Sequence, residues 1–195
     1  MQDGRVIPNR SALLLGAALV TGQIVLAPAA AAQPVLPFYQ LVDAAAQRLA
    51  TADPIAAAKW INGGPLTDPA RANQVLASVA ADATAHGIDP EYARTVFTDQ
   101  IGASEGVQYT RFGQWKFDPA TAPATAPDLS ASRTQIDGLN KTLVDEFALH
   151  WNSLHSQGCA ADLADAKAAV VAARGLDPLY QQALSSATRS FCSPT

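Results

Sequence analysis

The chain has few of the residues from which metal centres and nucleophilic active sites are built. Its 195 residues include two cysteines and three scattered histidines, without the spacing that metal ligands share. It shows no serine, histidine and aspartate set, no cysteine and histidine pair, and no phosphate-binding glycine loop. The sequence therefore predicts no metal site and no cofactor, and it offers no motif for covalent catalysis.

Basic residues are also scarce. The chain has 13 lysines and arginines against 17 aspartates and glutamates, a formal net charge of −4. A surface of this sign suits solubility and disfavours nucleic acids and anionic lipids as partners, because both require basic patches. An anionic ligand could be bound only where several of the few cations lie close together.

A short apolar run lies close to the N-terminus. Arg5 and Arg10 precede this run, which covers residues 12–20, and small residues follow at 30–32. The order is typical of a secretory signal peptide, which we predict over residues 1–32. A membrane anchor is the alternative, but the run falls well short of the roughly 20 residues needed to span a bilayer.

Export sets expectations for the rest of the chain. Cleavage after Ala32 would release residues 33–195, a length that suits one domain. We expect this domain to be secreted or periplasmic and to have no membrane partner after cleavage. The two cysteines, Cys159 and Cys192, both lie in the exported part. In an oxidising compartment a disulfide between them is the default expectation.

Helices are indicated throughout the exported part, which is rich in alanine and leucine and has no convincing strand pattern. Aspartate caps the free amides of a first helical turn, and proline suits the first helical position because its missing N–H costs nothing there. Aspartate–proline pairs mark four helix starts, and glycines occupy two expected C-terminal caps. The pairs are at 53–54, 68–69, 89–90 and 177–178, and the glycines are Gly87 and Gly175.

These signals predict an all-α fold, a single-domain bundle of about six to seven helices. A stretch rich in proline and alanine at 119–127 cannot continue a helix and is expected to be a semi-extended connection. The last two helices have nearly equal lengths, so in an antiparallel hairpin Cys159 would meet Cys192. We therefore expect a C-terminal helical hairpin closed by a disulfide. The predicted helices cover residues 35–51, 54–62, 68–86, 90–113, 129–156, 159–174 and 178–192.

Six polar side chains are candidates for a ligand site because of their positions on these helices. Four are basic and two are neutral: Arg48, Lys59, Arg71, Arg133, Ser104 and Gln108. Arg48 and Lys59 are separated by three helical turns, although Pro54 between them weakens the expectation that they share a face. Ser104 and Gln108 are an i,i+4 pair and project from one face.

Each candidate also has an ordinary structural interpretation. The three arginines could be solvated surface residues, and Lys59 could extend along the ring of Trp60. Ser104 and Gln108 could simply bond to each other between helices. Spacing alone therefore indicates no more than a soluble, exported helical domain.

Seven segments resemble the secreted (γ-subclass) chorismate mutases of the AroQ type. They follow one another in order over nearly the whole exported part: 41–49 (LVDAAAQRL), 52–60 (ADPIAAAKW), 88–92 (IDPEY), 96–101 (VFTDQI), 109–112 (YTRF), 115–116 (WK) and 127–133 (PDLSASR). The two cysteines also fall where that family has its disulfide. The resemblance implies an all-α fold with the active site within one chain, no cofactor, and pairing of subunits as a homodimer.

The resemblance also implies roles for the six candidates. The substrate-binding arginines fall on Arg48, Arg71 and Arg133, and the pocket lysine falls on Lys59. Ser104 would meet the ring carboxylate of the substrate, and Gln108 would bind its ether oxygen. One position departs from the family, because Val75 stands where relatives place a polar residue and Gln74 is beside it. Either the register differs by one, so that Gln74 rather than Val75 lines the pocket, or the contact to the substrate hydroxyl is made otherwise.

The reaction so implied explains why nucleophiles and metal ligands are absent. Chorismate is a dianion that rearranges to prephenate by a concerted [3,3] shift, without proton transfer. Arg48 and Arg133 would clamp carboxylates, and Lys59 and Gln108 would stabilise charge on the ether oxygen. The alternative is an exported helical anion-binding or inhibitor-like module without turnover, which has no need of two donors aimed at an ether oxygen.

Overall fold

Helices account for all regular secondary structure in residues 36–192, the part of the chain that the computed structural model describes. The prediction of an all-α fold is therefore confirmed. The predicted signal peptide and its cleavage site lie outside the described residues, and within residues 36–192 no helix is long and apolar enough to cross a membrane. The helices are α1 Tyr39–Ala50, α2 Ala52–Asn62, α3 Pro69–Ala85, α4 Pro90–Phe117, α5 Leu129–Leu149, α6 Trp151–Leu154, α7 Cys159–Arg174 and α8 Pro178–Ala187.

Helix α1 lies at the centre of the core. Its residues Leu41, Val42 and Leu49 are fully buried, and three alanines between them allow neighbouring helices to approach closely. Helices α5, α7 and α8 pack against α1, while α4 packs against α2, α3 and α8. Burying a leucine or valine side chain stabilises the fold by about 1.5–3 kcal/mol, so this helix contributes strongly to stability.

Three of the four predicted aspartate caps are present. The carboxylates of Asp68, Asp89 and Asp177 each accept a hydrogen bond from a backbone N–H in the first turn, and a proline follows each of them. Gly87 and Gly175 have φ values of 71° and 59°, left-handed conformations that end α3 and α7 as predicted.

The fourth predicted cap, at Asp53, is wrong. Helix α2 begins at Ala52, and its N-cap residue Thr51 keeps right-handed helical angles, so α1 and α2 are almost continuous. Pro54 is tolerated because it stands in the first turn, where a backbone N–H has no helical partner. The Asp53 carboxylate is thereby free to accept two hydrogen bonds from Arg111, at 2.7 and 3.2 Å.

Other helix boundaries also differ from the prediction. Helix α4 continues to Phe117, and the stretch after it contains a short 3₁₀ turn at Pro119–Thr121. The predicted helix 129–156 is interrupted at His150, whose ring packs edge-on against Phe38 at 5.3 Å between ring centroids. No glycine or proline marks this break in the sequence.

The last helix is shorter than predicted, ending at Ala187 rather than at residue 192. The residues after Ala187 do not continue the helix but form hydrogen bonds with side chains of α4. The buried carboxylate of Asp99 accepts hydrogen bonds from Arg189 Nε at 2.7 Å and from Ser190 Oγ at 2.6 Å. The hydroxyl of Tyr92 donates to the carbonyl of Phe191 at 2.7 Å. The C-terminal segment is therefore fixed to α4.

The predicted disulfide between Cys159 and Cys192 is confirmed, with the two Cα atoms 5.8 Å apart. It joins the first residue of α7 to the segment beyond α8, although both helices pack more against α1 than against each other. The bond closes a loop with a sequence separation of 33 residues. In the chain-entropy model a loop of this size stabilises a fold by about 3–4 kcal/mol.

Candidate active site

All six candidate residues line one cavity, which α1 to α5 enclose. Two carboxylates and several apolar side chains complete its wall. The candidates are Arg48, Lys59, Arg71, Ser104, Gln108 and Arg133; the carboxylates are Asp68 and Glu105; the apolar residues include Ile55, Val75, Ile101, Leu129 and Ile136. Four cations thus face two carboxylates, and the cavity is positive although the chain as a whole is negative.

The near-continuity of α1 and α2 brings Arg48 and Lys59 to the same face. Thr51 connects the helices with φ −73° and ψ −10°, so the helical phase is kept across the junction. Its hydroxyl and its backbone N–H both donate to the Arg48 carbonyl, at 2.7 and 3.2 Å. Pro54 does not disturb this arrangement because it lies in the first turn of α2.

Arg48 is a buried guanidinium at the inner end of the cavity. Only 4 % of the residue is exposed, and its Nε donates to Asn140 Oδ1 at 2.8 Å. The guanidinium carbon lies 5.8 Å from the ring centroid of Phe97. Burial, followed by repulsion from Arg71, lowers the pKa of Arg48 to about 10. The group is still cationic at neutral pH.

Lys59, Gln108 and Ser104 form a hydrogen-bonded series across the cavity. The Lys59 ammonium donates to Gln108 Oε1 at 2.9 Å and to the Leu66 carbonyl at 2.8 Å. Because Gln108 accepts through its oxygen, its Nε2 is the donor, and it lies 3.4 Å from Ser104 Oγ. Burial lowers the pKa of Lys59, while the charges of Glu105 and Asp68 oppose that shift.

Arg71 and Arg133 lie at the more exposed side of the cavity. The Asp68 cap accepts from the Arg71 backbone N–H at 3.0 Å and so fixes the first turn of α3. The Arg71 side chain is 41 % exposed and pairs with Asp137 at 3.2 Å. Arg133 projects from α5 and is exposed. These two arginines are therefore accessible to a ligand that enters from solvent.

Comparisons with known proteins identify the family of this chain. The family model described as chorismate mutase type II matches residues 39–109. The secreted chorismate mutase of Mycolicibacterium smegmatis is 56 % identical over 165 residues, which cover 85 % of this chain and 91 % of that protein. This chain belongs to the chorismate mutase family. The secreted chorismate mutase of Mycobacterium tuberculosis is 50 % identical over 153 residues, 78 % of this chain and 77 % of that protein.

A solved member of the chorismate mutase family has the same fold. The crystal structure of chorismate mutase from Burkholderia thailandensis superimposes with a TM-score of 0.75 at 38 % sequence identity. The match covers 80 % of this chain and 99 % of that one. The sequence comparison thus shows the family, and the structural superposition shows that the fold is the same.

Polar residues beyond the six candidates also surround the site. Glu105 lines the cavity, and Asn140 and Asp137 hold Arg48 and Arg71 from α5. A signal for Asn140 existed, because it follows Arg133 by two helical turns and so shares its face. The two-turn spacing from Arg133 was therefore the sequence clue that could have identified Asn140.

The structure also answers which of two neighbouring residues lines the cavity. Val75 lies in its wall, whereas Gln74 is exposed and is not part of it. In this chain an apolar side chain thus occupies this part of the cavity wall.

Proposed function

We propose that this chain is an exported chorismate mutase that rearranges chorismate to prephenate in the cavity lined by Arg48 and Lys59. The observation that carries the proposal is the convergence of four cations on one cavity of an acidic protein. The curated relatives at 56 % and 50 % identity are both named secreted chorismate mutases, which supports the reaction and the export.

Restraint of the substrate is the first task of the proposed site. Chorismate is a dianion, and its rearrangement requires the pseudo-diaxial conformer. Arg48 at the buried end and Arg133 at the exposed end can each bind a carboxylate through two parallel hydrogen bonds. Holding both ends fixes the reacting geometry before the reaction begins, which lowers the entropic part of the barrier. Arg71 and Ser104 add further donors for the carboxylates.

Stabilisation of the ether oxygen is the second task. Lys59 and Gln108 present an ammonium and an amide N–H to the same part of the cavity. Preorganised donors of this kind stabilise charge that develops in the transition state. A rate enhancement on the order of 10⁶ corresponds to about 8 kcal/mol, which restraint and charge stabilisation together can supply.

Turnover distinguishes this function from the alternative, an anion-binding or inhibitor-like module. Purified protein is expected to remove the absorbance of chorismate and to produce prephenate in equal amount, without added metal or cofactor. Dialysis against a chelator is the matched control, and it should leave the rate unchanged. Binding of chorismate without prephenate formation would support the module instead.

We also propose that the protein is a homodimer that pairs through an aromatic patch on α2 and α4, formed by Trp60, Ile61, Phe112, Trp115 and Phe117. The rings of Trp60, Phe112 and Trp115 pack together, with centroids 5.2 to 5.8 Å apart. Phe117 is 93 % exposed and Ile61 is 42 % exposed. Contiguous exposed apolar groups are typical of surfaces that another protein covers.

The molar mass in solution tests this proposal. Size-exclusion chromatography with light scattering is expected to give the mass of two chains, and Phe117→Ser is expected to shift the protein toward one chain. Leu149→Ser is the matched control, since Leu149 is 72 % exposed on another helix. A wild-type mass of one chain would contradict the proposal.

A further inference from the structure

The partner of Arg48 is a neutral amide, although Arg48 is the most deeply buried cation of the site. Asn140 Oδ1 accepts from Arg48 Nε at 2.8 Å, and Asn140 itself is 7 % exposed. A buried charge ordinarily has an opposite charge beside it. Asp137 lies one turn before Asn140 on the same helix; its charge attracts Arg48, but its hydrogen bond is to Arg71.

Two other arginines of this chain show what a carboxylate does in such a place. Asp53 binds Arg111 through Nε and Nη2 together, and Asp43 binds Arg174 through the same two nitrogens. The carboxylate thus occupies a terminal nitrogen and neutralises the charge. Asn140 uses Nε alone, so both terminal nitrogens of Arg48 are kept for another acceptor.

We propose that Asn140 is a positioning residue for Arg48: its amide oxygen fixes the Nε edge of the guanidinium and leaves the charge and both terminal nitrogens available to a carboxylate of the substrate. The inference rests on the proposed function and deepens it. With Nε occupied, the carboxylate must bind end-on, through Nη1 and Nη2. The ring of Phe97 lies on one side of the guanidinium, with its centroid 5.8 Å from the guanidinium carbon.

The pKa values of these arginines agree with the geometry. The hydrogen-bonded carboxylates raise the pKa of Arg111 and Arg174, whereas burial lowers that of Arg48. Arg48 alone among the three is held as a cation whose charge is not compensated by a bonded carboxylate. A dianionic ligand that enters the cavity can therefore pair with Arg48 without displacing a bonded carboxylate.

Asn140→Asp separates positioning from a merely structural role. The aspartate has the same shape, and its carboxylate should pair with Arg48, so the melting temperature is expected to stay the same or to rise. The same pairing competes with the substrate. The kcat/KM for chorismate is therefore expected to fall at least tenfold, mainly through a higher KM, and prephenate binding measured by calorimetry should weaken similarly.

Two further variants complete the experiment. Asn140→Leu removes the acceptor and is expected to lower both kcat/KM and the melting temperature. Asn152→Asp adds the same charge at an exposed position on α6 and should change neither. An Asn140→Asp protein with wild-type kcat/KM, or one that loses activity and stability together, would overturn the inference. Wild-type protein that neither converts chorismate nor binds prephenate would overturn the proposed function, and the inference with it.

Discussion

Arg48→Ala and Arg133→Ala are each expected to lower kcat/KM for chorismate by tens- to thousands-fold while the far-ultraviolet helical signal persists. Removing one partner of a desolvated, bidentate charge pair costs about 2–5 kcal/mol, and the pair in question here forms between an arginine and a carboxylate of the bound substrate. Steady-state kinetics and circular dichroism on the same preparations measure the two quantities.

The two variants are expected to differ in stability. Arg48 is buried, so its removal leaves a cavity and an unpaired acceptor on Asn140, and the melting temperature should fall. Arg133 is exposed, so its removal should leave the melting temperature nearly unchanged. Arg133→Ala is therefore the cleaner test of the clamp.

Arg94→Ala is the matched control for both variants. Arg94 is 43 % exposed, pairs with Glu91 on the surface of α4, and does not line the cavity. Its removal should change neither activity nor fold. If Arg48→Ala and Arg133→Ala both kept near-normal kcat/KM, the assignment of the cavity as the active site would be wrong.

Gln108→Glu is expected to give an enzyme that is active in acid and poor at neutral pH, with little change in fold. The wild-type amide can donate to the ether oxygen at any pH, so its kcat/KM should be nearly flat from about pH 5 to 8. A glutamate can donate only while protonated, and an unperturbed one titrates near pH 4.3. The Lys59 ammonium, 2.9 Å from Gln108 Oε1, would favour the charged form of the glutamate further.

The alkaline limb of the wild-type profile should report Lys59. Its role requires the ammonium form, so activity should fall as pH rises through its pKa. Burial lowers that pKa, and the fall is therefore expected at a lower pH than for an ordinary lysine.

Profiles of kcat/KM against pH for the wild type and the variant provide the measurement. Gln135→Glu on α5 is a suitable control, because Gln135 is exposed and lies outside the cavity wall. Its profile should match that of the wild type. A flat profile for Gln108→Glu would mean that Gln108 does not face the reacting oxygen and serves only as a bond between helices.

Local sequence signals predicted helix starts correctly where the cap depends only on neighbouring residues. The caps at Asp68, Asp89 and Asp177 depend on residues a few positions apart, and all three are in place. Asp53 is followed by proline in the same way but caps no helix, because α2 begins at Ala52 and the Asp53 carboxylate bonds to Arg111 instead. The break at His150 likewise has no glycine or proline to mark it, and in the structure the His150 ring packs against Phe38.

The candidate site was predictable in part. The resemblance to a family named six positions, and the structure brings all six to one cavity; their catalytic roles stay predictions. Asn140 was missed because its spacing from Arg133 indicates only a shared helix face, and its role as the partner of Arg48 appears only when Arg48 is known to be buried. Burial of a single side chain depends on how five helices meet, and a one-dimensional pattern does not contain that information.

The covalent link between Cys159 and Cys192 has a consequence for a protein exposed to extracellular proteases. The turn at 175–177 lies between α7 and α8, inside the loop that the disulfide closes. Cleavage of a peptide bond in this turn would leave both helices tethered to each other and both still packed on α1. Molecules cleaved in this turn would therefore keep α7 and α8 packed against α1, the helix that contains Arg48. A reducing agent would be needed before the C-terminal fragment could diffuse away.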